Sequence, residues 1–439
     1  MKLKTSALLL GAFAFGLMTA PLCPVVAQTG SASGPAHKMA PFFLKDGDRV
    51  VFYGDSITDQ RMYTTYVETY CLTRFPTKNF TFIHSGWGGD RVTGGGGGPV
   101  DLRLKRDVIV YKPTVVTICL GMNDASYSPF KQEIFDTYVN GYRHIIETLQ
   151  KEIPGVRLTL LTASAFDDVT QTAKFPGGYN STLTTYGEAV KQLGEDYNIP
   201  VADTNAPLVA VLNRAETADP TLATKIIPDR VHPGAGGHLV MAAALLKAWN
   251  APSTVAAIEI DASSNKIVRQ KNTRLSEFKT TDTSLSFTHM DNALPWPFDH
   301  STDAGLTLAV SDIEKNLNLY TLKITGLKGK QYQVSVDGKM VGMVAASDLE
   351  KGVDLAAMPE LPPNMQASQV LGMTRKHNDL HFNRWRVVQL AEKRNGVDDV
   401  PTDVKQKMDA LDVQETDAIT SLRQMVQPKS HHVEFTLVP

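Results

Sequence analysis

Cysteine is scarce, with three in 439 residues. Cys23 falls in an N-terminal apolar stretch, so Cys71 and Cys119 alone serve the body of the chain. That excludes a small disulfide-stapled scaffold, and the apolar run around Cys119 argues for a buried thiol rather than a bridge to Cys71. A basic excess is also lacking. The formal net charge is −2, which excludes the positive face that nucleic-acid binding requires. No apolar run after residue 20 is long enough to span a membrane. Internal repeats are absent, which excludes solenoids and propellers. The glycines at 94–98 are not followed by Gly-Lys-Ser/Thr, so they form no P-loop and are expected to be a flexible loop bordering the functional end. His377 and His381 stand four apart on a predicted helix. No Glu follows His377 and no third ligand is near, so no metal and no organic cofactor is expected.

What remains is the composition of an ordinary globular protein, 42% hydrophobic and 21% charged. The length exceeds what one core usually supports, so two domains are expected. Residues 1–27 read as a signal peptide: Lys2 and Lys4, an apolar run over 6–20, then Val25-Val26-Ala27 at a cleavage site. The protein is therefore expected to be secreted or periplasmic, without stable membrane insertion after cleavage. Residues 28–40 read as a flexible leader.

Residues 41–255 alternate short apolar runs with helical patterns. Strands are expected at Arg49–Tyr53, Phe80–His84, Val115–Leu120, Leu158–Thr162 and Ile199–Asp203. Helices are expected near 60–75, 100–110, 130–151, 180–197 and 235–250. Such alternation implies parallel strands joined by right-handed crossovers, an α/β fold of three layers with a flavodoxin-like sheet. Residues 256–439 read as an α+β accessory region. Its antiparallel strands are expected at Thr283–Met290, Leu319–Thr325, Gln331–Val336 and His432–Val438, with helices over 365–394 and 402–426. Asp337-Gly338 signals a tight hairpin.

Four segments carry chemistry, and all fall at the carboxyl ends of predicted strands, where ligands bind in such sheets. Gly54-Asp55-Ser56-Ile57-Thr58 follows the first strand and Gly86-Trp87-Gly88-Gly89-Asp90 the second. Gly121-Met122-Asn123-Asp124 follows the third, and Asp229-Arg230-Val231-His232 precedes the last helix. A serine at a sharp strand-to-helix turn is an exposed nucleophile. A His three residues after an Asp lets one short turn present a base and its orienting carboxylate.

In order and spacing the four segments resemble the sequence blocks of the SGNH (GDSL) hydrolase superfamily, over roughly residues 45–250. The resemblance implies a serine esterase with Ser56, His232 and Asp229 as its triad. It assigns the oxyanion hole to the Ser56 and Gly89 backbone amides and the Asn123 side chain. Many members carry Asn where this chain has His84, a position that orients the loop. Asp55, Trp87 and Asp90 flank these groups and are expected to contact substrate, Trp87 as an apolar or sugar-stacking wall. Asp167 and Asp168 are candidates for the rim. The Leu294–Phe298 stretch is read as a rigid loop of the second region. The expected partner is an ester, with an acetylated glycan favoured by export and two domains. The alternatives are a lipid or aryl esterase, and a glycan-binding protein with a vestigial hydrolase domain. The oligomeric state is left open.

Overall fold

Five short apolar runs become one parallel sheet, and its register brings the blocks together. In the computed structural model, which describes residues 40–390 and 401–438, the first strands are β1 (Arg49–Gly54) and β2 (Thr81–Gly86). A small glycine ladder follows, β3 (Gly94–Gly95) with β4 (Gly98–Pro99). Then come β5 (Val115–Cys119), β6 (Arg157–Leu161) and β7 (Val201–Ala202). The main sheet runs β2-β1-β5-β6-β7 with every pair parallel. Every residue of β5 is buried, as befits a central strand covered on both faces.

The covering helices are α1 (Ser56–Asp59), α2 (Met62–Arg74), α3 (Val100–Asp107), α4 (Gln132–Glu152), α5 (Gly178–Tyr197), α6 (Ala206–Ala218), α7 (Pro220–Ala223) and α8 (Ala235–Ala248). α4 shows why they form. Tyr138, Tyr142, Ile145, Ile146 and Leu149 recur at helical spacing and are all buried. The fold is the α/β/α sandwich expected from the sequence. Cys71 and Cys119 are both buried free thiols.

The remaining strands are β8 (Thr254–Asp261), β9 (Lys266–Lys271), β10 (Thr273–Thr280), β11 (Ser284–Asp291), β12 (Leu319–Thr325), β13 (Gln331–Val336), β14 (Lys339–Ala345), β15 (Val353–Asp354) and β16 (Ser430–Leu437). They form two sheets, β10-β11-β16-β13-β14 and β15-β12-β8-β9. Ile258, Ile260, Leu322 and Ile324 of one sheet share an apolar core with Phe287, Val433 and Phe435 of the other. The hairpin at Asp337-Gly338 has φ of 51° and 76°, the left-handed pair such a two-residue turn needs. One expectation holds on one side only: β12 pairs antiparallel with β15 but parallel with β8, because that second neighbour arrives from residues 254–261 rather than by a local hairpin.

The rest of the C-terminal region folds back on the hydrolase layers. Helices α9 (Asp303–Ala309) and α10 (Ile313–Leu317) add Ala304, Leu308, Ile313 and Leu317 to the main core. Trp296 joins the same core, and its Nε1 donates to the Tyr66 carbonyl at 3.0 Å. The Leu294–Phe298 stretch thus bolts the second region to α2. Beyond α11 (Ala346–Lys351), helix α12 (Pro362–Phe382) runs into a π-helical segment at Asn383–Gln389, and α13 (Thr402–Met425) packs beside it. Asn378 on α12 donates to Thr65 Oγ1 on α2 at 2.8 Å.

The expected signal peptide lies outside the described residues, as does all of the leader but Ala40. Among the described residues, no helix is long and apolar enough to cross a membrane.

Candidate active site

The parallel strands end level. Gly54 pairs with Gly86 on one side and with Cys119 on the other, so the chain leaves the sheet at three adjacent points. A side chain at Gly54 would collide with the Thr58 hydroxyl and the Cys119 carbonyl, so glycine is required where the strand turns into α1. Ser56 opens that helix and is only half-buried.

Ser56 Oγ lies 2.8 Å from His232 Nε2. His232 Nδ1 lies 2.6 Å from Asp229 Oδ2. Asp229 Oδ1 also accepts the backbone amides of His232 at 2.7 Å and Val231 at 3.0 Å. Desolvation pushes the Asp229 carboxyl upward, but the hydrogen bonds from His232 and Val231 outweigh it and hold the group below its ordinary range. The anionic carboxylate accepts a hydrogen bond from Nδ1–H, which turns the lone pair of Nε2 toward Ser56 Oγ.

The turn that presents this pair is tied down by a residue the motif reading passed over. Arg230 sits at φ 74°. Its side chain donates to the Asp167 carbonyl at 3.1 Å, Asp168 Oδ1 at 2.9 Å and the Thr172 carbonyl at 2.8 Å. Asp167 and Asp168, candidates for the rim or for a solvated turn, anchor the Asp229–His232 turn. Asp167 is fully buried and caps the amides of Val169 and Thr170.

On the opposite side, Asn123 Nδ2 donates to the Asp90 carbonyl at 3.1 Å, and its Oδ1 accepts the Tyr127 hydroxyl at 2.9 Å. The two bonds fix which way the amide faces, and one Nδ2 hydrogen remains for a ligand. Ser126 and Tyr127 both adopt left-handed backbone, at φ 57° and 53°, a strained arrangement typical of functional turns. Burial pushes the Tyr127 phenol up to about 12, so it remains a donor at neutral pH. Nothing in the sequence marks this tyrosine, because left-handed backbone at non-glycine residues has no reliable signature. Gly89 sits at φ 77° with open space where a side chain would point, in a turn closed by Asp90 N–H to the Trp87 carbonyl at 3.1 Å.

The three expected substrate contacts are corrected. Asp55 is buried and its Oδ1 caps the Ile57 amide at 3.0 Å. Burial pushes that carboxyl up to about 8. Asp90 is fully buried, and Arg103 Nε meets it at 2.6 Å. Trp87 is 7% exposed. The Arg386 guanidinium lies 3.3 Å from its ring centre, with Arg103 and Arg106 at 5.2 and 5.1 Å. A ring enclosed by three guanidinium groups has no face left for a sugar. The glycine run lies beside the Gly86–Asp90 loop. A Cβ on Gly95 would stand 2.7 Å from the Gly89 carbonyl, and one on Gly97 2.6 Å from the Trp87 ring. These glycines allow close packing against that loop.

His84 turns away from the site, to Thr64 Oγ1 at 2.7 Å and Glu68 Oε2 at 3.0 Å. His377 and His381 face Glu68 and Glu415. Among the described residues, no group of three or more His, Cys, Asp or Glu is arranged to hold a metal.

This geometry can be set beside known proteins. Residues 52–240 match the GDSL-like lipase/acylhydrolase family. The acetylxylan esterase of Geobacillus stearothermophilus is 28% identical over 223 residues, which make up 46% of this chain and 94% of that protein. Among solved structures, a gut microbial diltiazem-metabolizing enzyme aligns with a TM-score of 0.77 at 25% identity, covering 90% of this chain and 98% of that one. That alignment takes in the C-terminal sandwich as well as the hydrolase layers. The match over residues 52–240 and the acetylxylan esterase relative together support a serine hydrolase of ester bonds in the SGNH hydrolase superfamily.

Proposed function

We propose that this protein is an exported carbohydrate esterase that removes acetyl groups from a glycan through an acetyl-Ser56 intermediate. The observation that carries the reading is the continuous hydrogen-bonded chain from Ser56 to His232 to Asp229, at 2.8 and 2.6 Å. Ser56 Oγ attacks the ester carbonyl while His232 Nε2 takes its proton. The Asp229 carboxylate stabilises the imidazolium that forms. The new oxyanion is met by the Ser56 and Gly89 amides and the free Nδ2 hydrogen of Asn123. His232 then protonates the departing sugar oxygen. In the second half-reaction His232 deprotonates a water, which attacks the acetyl-serine, and His232 then returns the proton to Ser56 Oγ as acetate leaves.

The glycan substrate is supported by the acetylxylan esterase relative and by the openness of the site. The His232 side chain is 34% exposed and that of Asp229 56% exposed, so a polymer can lie across them without threading a tunnel. Tyr127, 43% exposed beside Asn123, offers aromatic surface that Trp87 does not. The diltiazem-metabolizing neighbour favours a second reading, an esterase of small aryl or alkyl esters.

Acetylated xylan and p-nitrophenyl acetate, butyrate and octanoate separate the two readings. The glycan esterase releases acetate from xylan and turns over octanoate poorly. A preference for the aryl esters with no release from any acetylated glycan would overturn the carbohydrate reading. Ser56→Ala should lower turnover by about four to six orders of magnitude, and a variant retaining a tenth of the rate would remove Ser56 from the mechanism.

A further inference from the structure

The two backbone amides assigned to the oxyanion sit on different pieces of chain, one opening α1 and the other in the loop after β2. Arg386 connects those pieces from the far end of the sequence. Its Nη1 donates to the Gly86 carbonyl at 3.1 Å, and its Nη2 to Asp59 Oδ2 at 3.2 Å. Asp59 is the last residue of α1, the helix that Ser56 begins. The same Asp59 Oδ2 accepts the Gly88 amide at 3.2 Å, and Gly88 directly precedes Gly89. The guanidinium plane also lies on Trp87, the residue before Gly88. One planar cation thus touches the end of the nucleophile helix, the end of β2 and the loop between Gly86 and Asp90.

The neighbouring contacts fit a brace and not a chance surface pair. Trp385 meets the Trp87 ring edge-on at 5.9 Å, and its Nε1 donates to Asp107 Oδ1 at 2.8 Å. Arg103 reaches Trp87, Asp90 and the Ser85 carbonyl. Both tryptophans are buried. Trp385 and Arg386 lie in the π-helical segment, a geometry that is rare and clusters at functional sites. Arginine suits the place: its fork donates to two acceptors at once while its flat face stacks on an indole. The Arg386 side chain is only 17% exposed and its donors go to Gly86 and Asp59, so it acts through the loop.

We propose that Arg386 is a positioning residue of the esterase. By cross-bracing Asp59, Gly86 and Trp87 it sets the spacing of the Ser56 and Gly89 amides, and through it the C-terminal region takes part in catalysis. This rests on the esterase reading above, since the spacing matters only if those amides receive an oxyanion.

The test uses the full chain and p-nitrophenyl acetate, with Arg386→Ala, Arg386→Lys and Asp59→Asn. A displacement of about 1 Å in a reacting geometry costs about 100-fold in rate. Arg386→Ala should therefore lose about 10- to 100-fold in kcat while KM stays within about threefold. Arg386→Lys keeps the charge but loses the fork and the flat face, and it should retain more activity than the alanine variant. Hydrogen exchange adds a readout independent of turnover. Amides of residues 86–90 should exchange faster in Arg386→Ala, while those of 229–234 keep wild-type rates. A folded Arg386→Ala with kcat within twofold of wild type would overturn the proposal, as would unchanged exchange at 86–90. If Arg386→Ala does not fold, Arg386→Lys and Asp59→Asn carry the same two readouts. A wild-type chain without Ser56-dependent turnover would sink the esterase reading itself, and exchange at 86–90 would still decide whether Arg386 holds the loop.

Discussion

Two buried charge clusters join the C-terminal helices to the hydrolase layers, and they are built from different chemistry. Beside the catalytic loop, Arg103, Arg106 and Arg386 face Asp59, Asp90 and Asp107. Between α2, β2, α12 and α13, the partners of the carboxylates are histidines. His377 stands 3.3 Å from both Glu68 and Glu415, His381 stands 3.4 Å from Glu415, and His84 stands 3.0 Å from Glu68. Arginine keeps its proton at any pH a protein survives. Histidine charge depends on its surroundings. Burial drives His377 downward, but the two carboxylates prevail and raise it to about 10. Burial likewise pulls Glu68 upward, and the His377 and His84 contacts bring it down to about 2. The same helix therefore docks through histidines that titrate, while its π-helical continuation grips the Gly86–Asp90 loop through an arginine that does not.

The largest effect should come from breaking the arginine cluster. The Arg103 side chain is fully buried between Asp90 and Asp107. Removing one partner of such a pair costs about 3–5 kcal/mol, because the other charges stay buried. Arg103→Met should lose that much stability in urea unfolding, and a loss under about 1 kcal/mol would mean the cluster relaxes to water. The histidine joint should show itself next, as a pH dependence. His377 is raised in the fold, so its contribution is complete below its ordinary value of 6.5 and is lost as pH climbs toward about 10. Glu68 is lowered, so its contribution is complete above 4.5 and is lost as pH falls toward about 2. Stability should therefore decline from pH 6.5 to 9, and His377→Gln should flatten that slope. Equal slopes in the two proteins would remove His377 as the cause. The smallest effect belongs to a buried acid with no cation beside it. Asp55, pushed up to about 8 by burial, is neutral at pH 7 and serves only as an acceptor for Ile57 N–H. Asp55→Asn should leave kcat within about threefold there, and a tenfold loss would assign its charge a role.

The catalytic half was readable because its design is local. Each block is a short contiguous segment, and a parallel sheet in register delivers all of them to one edge. Nothing in the blocks told which side chains face the substrate. Trp87 and Asp90 flank Gly88 and Gly89 in sequence, yet their partners are Arg103 on α3 and Arg386, the latter 300 residues beyond Gly86. Helix α6 went unassigned although Leu208, Val211, Leu212 and Ala215 are buried at helical spacing. β9 is largely exposed and lacks the apolar alternation that marks a strand. The close packing of the glycine run was not legible, because glycine serves both freedom in a linker and closeness in a packed turn.

The brace also has a consequence in time. Arg386 lies 327 residues after Asp59. A ribosome adding about 5–20 residues per second needs on the order of 15–60 s to cover that distance. Once His232 has been added, the serine, the histidine and their loops all exist on the nascent chain while Arg386 is still to come. Any hydrolytic power gained from that brace is withheld until Arg386 itself has been made.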